Sequence, residues 1–235
     1  MTTQLGKVHA AARGGRAART SRAARGGGAA PAGPADAGSA NEQRILAQAL
    51  HSFATRGYAA TGLRAIAADA RLTAPMVNYY FKTKQALYER VGAMVMDGLV
   101  GAIAAACPPD GSLAQVLAAN LLAHLQFGVD HPEAVRFLFS LLYGADEGRP
   151  PLDMTAYGAV EARIRQRIDR AIRSGELVPH AGVTRADAYE LYQGLVMSLV
   201  MHDAKAPAFG KPRTEPRVAA RRLAILLAGL GSLRV

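Results

Sequence analysis

The stretch Arg71 to Lys84, RLTAPMVNYYFKTK, concentrates an asparagine, two tyrosines, a phenylalanine and three cations in a chain that is only 6% aromatic. These groups have a defined nucleic-acid chemistry. The Asn78 amide can pair bidentately with adenine N6 and N7, and apolar groups such as Pro75 and Met76 can meet thymine methyls. Tyrosine hydroxyls and the Lys84 ammonium suit phosphate oxygens, which position a protein on a duplex without reading its sequence. The competing reading is an ordinary helical core, which fits Phe81 best and Tyr79 least.

Other chemistries find little support. The six histidines include no i, i+4 pair, no HExxH and no cysteine companion, so no metal site is expected. No phosphate loop or GxSxG elbow occurs, so neither a catalytic residue nor a cofactor is expected. Cys107, the single cysteine, cannot form an intramolecular disulfide, which makes a reducing cytoplasm the expected location. No run of about 18 uncharged apolar residues marks a membrane span. The formal charge of +10 favours a polyanionic partner.

The elements that position Asn78 are legible in the apolar spacing. Residues 1–40 are mostly Ala, Gly, Arg and Pro and read as a disordered arm. Lys7 and arginines at 13, 16, 19, 22 and 25 against Asp36 give it half of the total charge. It is either a solvated tail or a DNA-tracking arm; its likeness to a transit peptide fails at the glycine runs. From Asn41, the residues Ile45, Leu46, Ala49, Leu50 and Phe53 share one helical face, which Gly57 ends. Thr61 is placed to cap a second helix, Gly62 to Ala70. Thr73 caps a third, with Pro75 in its first turn, where a missing N–H costs little. Projection at 100° per residue turns Val77 and Phe81 inward and Pro75 and Tyr79 outward, flanked by Met76 and Asn78.

A fourth helix runs from Lys84 to about Ala106, where Pro108 and Pro109 stop it. Further helices carry a leucine stripe from Leu113, a start at Pro132, and the series Tyr157 to Ile172 closed by Gly175. No period-two alternation suggests a sheet. The chain reads as all-α with about nine helices.

Thr61 to Leu87, TGLRAIAADARLTAPMVNYYFKTKQAL, closely resembles the DNA-binding region of the tetracycline-repressor (TetR) family of bacterial regulators. The shared features are Phe53, Gly57, Ile66-Ala67, Leu72-Thr73, Tyr80-Phe81, Lys84 and Leu87, and the likeness covers about residues 41–90. It implies a helix-turn-helix domain at 41–88, a helical effector-binding and dimerisation domain at 89–235, and a homodimer acting on a pseudo-palindromic operator of double-stranded DNA. It also implies a small-molecule effector, whose identity the sequence does not disclose. By position, Arg64, Ala74, Pro75, Met76 and Asn78 match base-approaching residues, and Thr61, Thr73, Tyr79, Tyr80 and Lys84 match phosphate or boundary contacts. Two residues depart from the family pattern: Arg71 stands where glycine is usual, and Asn78 where tyrosine is usual. The rival reading is a helical enzyme or small-molecule binding protein that keeps a degenerate helix-turn-helix.

Two C-terminal segments, Arg185 to Asp203 and Val218 to Leu233, are apolar over too wide an arc for one core face. Burial against a second copy accounts for that width, whereas a membrane-surface helix would not carry Glu190 and Asp203. Asn120 and His124, four apart on an apolar face, point inward, either as cavity polar groups or as a satisfied buried pair. With Phe127, Phe137, Tyr143, Tyr157, Tyr192 and Met197 they form the candidate effector pocket.

Overall fold

The computed structural model describes residues 34–144 and 148–234, with side chains from Gly38 onward. Nine α-helices occur among the described residues: α1 Pro34–Arg56, α2 Leu63–Asp69, α3 Ala74–Tyr80, α4 Lys84–Ala106 and α5 Leu113–Asp130, then α6 Pro132–Tyr143, α7 Thr155–Ser174, α8 Arg185–Lys205 and α9 Pro216–Leu230. The arginine repeat of the arm lies outside the described residues. Residues 34–40, read from composition as the end of that arm, instead extend α1 by seven residues. Proline in a first helical turn loses no intrahelical hydrogen bond, and alanine is the best helix former.

The stop signals act as their chemistry dictates. Gly175 closes α7 in the left-handed region at φ 74°, and the Cys107 amide caps α4 ahead of the proline pair. Ser112 and Gln115 form a capping box at the start of α5. One expected cap is corrected. Gly62, not Thr61, is the N-cap of α2, which therefore has no side-chain cap. Thr61 is 1% exposed, and its hydroxyl donates to the Gly57 carbonyl at 2.7 Å, with the Ser52 carbonyl at 3.3 Å.

The fold also contains a two-stranded antiparallel ribbon, β1 Leu177–Pro179 against β2 Gly231–Leu233. Gly231 has no room for a side chain, since a methyl there would lie 2.2 Å from the Val178 carbonyl oxygen.

Two apolar cores follow from the helix faces. The first joins α1 to α4 with α6, through residues such as Ile45, Phe53, Val77 and Leu87. The second packs α5 and α7 against α8 and α9, through Leu117, Ile168, Tyr192 and Leu227. Tyr88, in the first turns of α4, stands where the N-terminal head meets the body. Its ring lies 5.0 Å from Phe53, 4.9 Å from Tyr58 and 5.4 Å from Phe137. Such pairs contribute about 0.5–1.5 kcal/mol each beyond their buried area, so the head is held firmly on the body. No helix among the described residues is long and apolar enough to cross a membrane.

Candidate nucleic-acid interface and ligand cavity

The recognition unit is built on a strained turn. The amide of Arg71 donates to Ala68 O and that of Leu72 to Ala67 O, the double bond of a Schellman ending for α2. This ending requires a left-handed residue, and Arg71 supplies it at φ 55°, the one non-glycine residue at positive φ among those described. Arg44 of α1 donates from Nη2 to the Ala70 carbonyl at 2.6 Å, tying the same turn to the first helix. Arg71→Gly is therefore expected to stabilise the protein by about 1 kcal/mol, because glycine adopts this conformation without a Cβ penalty. Denaturant titration measures it, and an unchanged or lower midpoint would contradict the strain.

Helix α3 then presents the faces that its spacing predicts. Thr73 accepts from the Met76 amide at 3.4 Å, Val77 is fully buried and Phe81 nearly so, while Tyr79 is 74% exposed. Pro75, Met76 and Asn78 are exposed beside Tyr79, and Ala74 and Tyr80 are half-buried. Lys82 lies 5.9 Å from the Tyr79 ring centroid. Arg64 on α2, Arg71 in the turn and Lys82 after α3 are exposed cations around this neutral face. The arrangement can place amide and apolar groups against base edges with cations toward phosphates.

Two further members of the expected set have structural duties. The Lys84 ammonium donates to Tyr58 O at 2.9 Å and sits 4.1 Å from the Tyr58 ring centroid, so it binds the start of α4 to the loop after α1. Thr61 is buried, and Thr61→Val is expected to cost about 1–3 kcal/mol by leaving the Gly57 carbonyl without its donor. Equilibrium denaturation reads that cost. A variant of unchanged stability would show that the hydroxyl bonds are dispensable.

The aromatic and polar residues expected around a pocket divide between two adjoining cavities and the core. A cavity of about 470 Å³ is walled by α4, α5, α6, α7, α8 and the loop before α7, and includes His124, Phe127, Tyr157 and Met197. A second, of about 700 Å³, opens between α6 and the C-terminal end of α8 and includes His124 and Tyr143. His124, Val135, Phe139 and Val200 line both. Asn120, Phe137 and Tyr192 line neither. Phe137 is fully buried against Tyr88, and the Tyr192 hydroxyl lies 2.7 Å from Asn120 Oδ1 and 2.9 Å from Leu117 O.

His124 Nδ1 lies 2.8 Å from the Asn120 carbonyl, and Nε2 lies 3.3 Å from the Tyr157 hydroxyl. Burial pushes the His124 pKa below the usual imidazole value, against an upward pull from the Asn120 bond. Burial likewise raises the Tyr157 phenol, with Gln193 pulling it down and Glu161 pushing it up. Walls contributed by Met96, Leu99, Leu152 and Gln193 were not foreseen from sequence. Each looks like an ordinary helix or loop residue until the tertiary packing leaves a gap beside it. No cluster of three or more metal-ligating side chains occurs among the described residues.

Residues 45–91 match the family described as bacterial regulatory proteins, tetR family. No curated protein sequence matches the chain. Among solved structures, a TetR-like transcriptional regulator from Rhodococcus sp. RHA1 is 25% identical, covers 80% of this chain and 93% of its own, and superposes with a TM-score of 0.55. A tetR-family regulatory protein from Rhodococcus RHA1 is 22% identical, with coverages of 83% and 98% and a TM-score of 0.61. The ketosteroid transcriptional regulator KstR2 of Mycobacterium tuberculosis is 18% identical, with coverages of 81% and 95% and a TM-score of 0.63. Residues 45–91 therefore belong to the family of bacterial regulatory proteins, tetR family, and the chain as a whole shares its all-α fold with TetR-family structures.

Proposed function

We propose that this chain is a ligand-released transcriptional repressor, working in the cytoplasm as a homodimer on a pseudo-palindromic operator. The observation that carries the proposal is the outward face of α3, where Pro75, Met76, Asn78 and Tyr79 are all exposed on a helix anchored from below by Val77. A packed core residue would not leave a tyrosine 74% exposed beside an asparagine. In this reading residues 41–88 bind DNA, and residues 89–235 bind the effector and dimerise. Arg64, Ala74, Pro75, Met76 and Asn78 approach bases, whereas Thr73, Tyr79, Tyr80 and Lys84 lie toward phosphates. Thr61 supports the loop from beneath.

Dimerisation uses the exposed faces of α8 and α9. Leu191 and Ile225 are large, apolar and more than half exposed, and the small residues Gly194, Ser198, Ala224 and Ala228 beside them are also exposed. Small residues let helices approach closely, and a four-helix interface is the compact way to bury such faces.

Release follows from shared walls. Helix α4 carries Met96 and Leu99 of the smaller cavity and begins at Lys84 in the DNA-binding head. Helix α6 carries further wall residues and touches α1 through Glu133 and His51 Nδ1, 2.5 Å apart. A ligand that fits one placement of α4 and α6 better than the other changes the separation of the two α3 helices. Half-sites about 34–36 Å apart tolerate little change, and couplings of about 1–3 kcal/mol alter affinity about 5- to 150-fold.

Selection of bound fragments from random duplex DNA by the full chain tests the reading. The expected product is a two-fold-related sequence pair, and recovery of unrelated sequences with equal affinity would refute a sequence-specific regulator. The intact Schellman turn, with Arg71 in its left-handed position, supports a working helix-turn-helix over a degenerate one.

A further inference from the structure

Four polar side chains of the smaller cavity lie in two close pairs, His124 Nε2 3.3 Å from the Tyr157 hydroxyl and Gln193 Nε2 3.4 Å from Glu161. Arg149 and apolar residues such as Met96, Leu99, Phe127, Leu138 and Leu152 line the rest. A backbone carbonyl can only accept, so the Asn120 contact makes Nδ1 the protonated nitrogen of His124. Nε2 is left with a lone pair, and the Tyr157 hydroxyl 3.3 Å away can donate to it. At that length the bond is weak, and a better-placed donor would replace it. Burial lowers the imidazole pKa and raises that of the phenol, so the acceptor stays neutral and the donor stays protonated near neutral pH.

The formal charges of the lining argue against an ionic ligand. The Arg149 guanidinium donates to the Ser140 and Leu141 carbonyls at 3.1 and 3.0 Å, at the end of α6. Glu161 lies 3.4 Å from Gln193 Nε2 and 3.7 Å from Arg165, and its carboxylate would repel a second anion. The basic side chains Arg136, Lys205 and Arg213 line the larger cavity, on the far side of the shared wall.

We propose that the smaller cavity takes a neutral, mainly apolar molecule bearing an alcohol or phenol hydroxyl, which donates to His124 Nε2 and accepts from Tyr157 or Gln193. The volume of about 470 Å³ falls within the usual ~300–1,000 Å³ of small-molecule sites. This assignment rests on reading the cavity as the effector site.

Calorimetric titration of the full chain with three matched probes, 4-pentylphenol, 4-pentylanisole and 4-pentylbenzoate, separates the outcomes. The phenol is expected to bind at least about ten-fold more tightly than either of the others, as one buried hydrogen bond implies. Tyr157→Phe removes a donor that both the phenol and the anisole oxygen can use, and is expected to leave the phenol-over-anisole preference at or above the parent's; His124→Leu removes the acceptor that only the phenol can use, and is expected to shrink that preference. His124→Gln, which keeps an acceptor oxygen, is expected to restore part of it. Equal binding of phenol and anisole, or a preference that His124→Leu leaves unchanged, overturns the hydroxyl assignment alone. Tighter binding of the benzoate does the same and points to the basic cavity. Failure of all three probes overturns the effector-site reading and this assignment with it.

Discussion

Replacing Leu191 and Ile225 together by glutamate is expected to turn the protein into a monomer and to weaken binding to a two-half-site operator by about 10²- to 10⁴-fold, the range over which linked binding modules exceed single ones. The two side chains are 53% and 65% exposed on α8 and α9, and burial of each contributes roughly 1.5–3 kcal/mol when a second copy covers it. Across a two-fold axis, a residue near the centre of the interface meets the same residue of the partner, so each glutamate would also face like charge. Neither side chain supports the monomer core, and the helices should survive. Sedimentation at several concentrations measures the dimer, and gel shift with one or two half-sites separates lost avidity from lost recognition. A double variant that remains dimeric would place the interface elsewhere.

Asn78→Ala is the second large effect. Each α3 should lose about 1–3 kcal/mol of discrimination at one base position, and both half-sites are affected in a dimer. Because the amide is neutral, the slope of log K against log salt should stay constant. Arg64→Ala, in contrast, removes a cation and should reduce that slope as well. Lys84→Ala should weaken specific and random sequences alike, because its ammonium holds the Tyr58 carbonyl that shapes the loop beneath α2. Binding titrations with the selected operator, a single-base variant and random duplex distinguish these outcomes. Equal losses on all three duplexes for Asn78→Ala would remove the amide from base reading.

The helix-turn-helix was legible because its signals are local. Thr73, Pro75 and Val77 act within one or two turns of their own chain, so spacing alone orients α3, and the observed burial agrees residue by residue. Gly175 and the proline pair after Cys107 stop helices for equally local reasons. Thr61 shows the limit: its type and position fit an N-cap, yet α1 offers the Ser52 carbonyl and the turn after it the Gly57 carbonyl, and the hydroxyl turns to them. The short β1–β2 ribbon escaped notice because three residues per strand carry no period, and its partners lie more than fifty residues apart.

The pocket divides the same way. Asn120 and His124 share one inward face four residues apart, as the helical period requires, but that period cannot say what stands opposite. Tyr192 reaches the Asn120 side chain and fills the space there, whereas His124 meets a gap bounded by Tyr157 and Gln193. Phe137 has the composition of a pocket wall and became part of the junction with Tyr88. By itself the sequence determined the all-α fold, the stops of α4 and α7 and the outward face of α3, since hydrogen bonding and side-chain period act over a few residues. The tertiary structure alone decided that Arg71 is held left-handed, that Thr61 and Lys84 brace the loop, and where a cavity remains. Those outcomes depend on the shapes of helices distant in sequence, and a void belongs to no single segment.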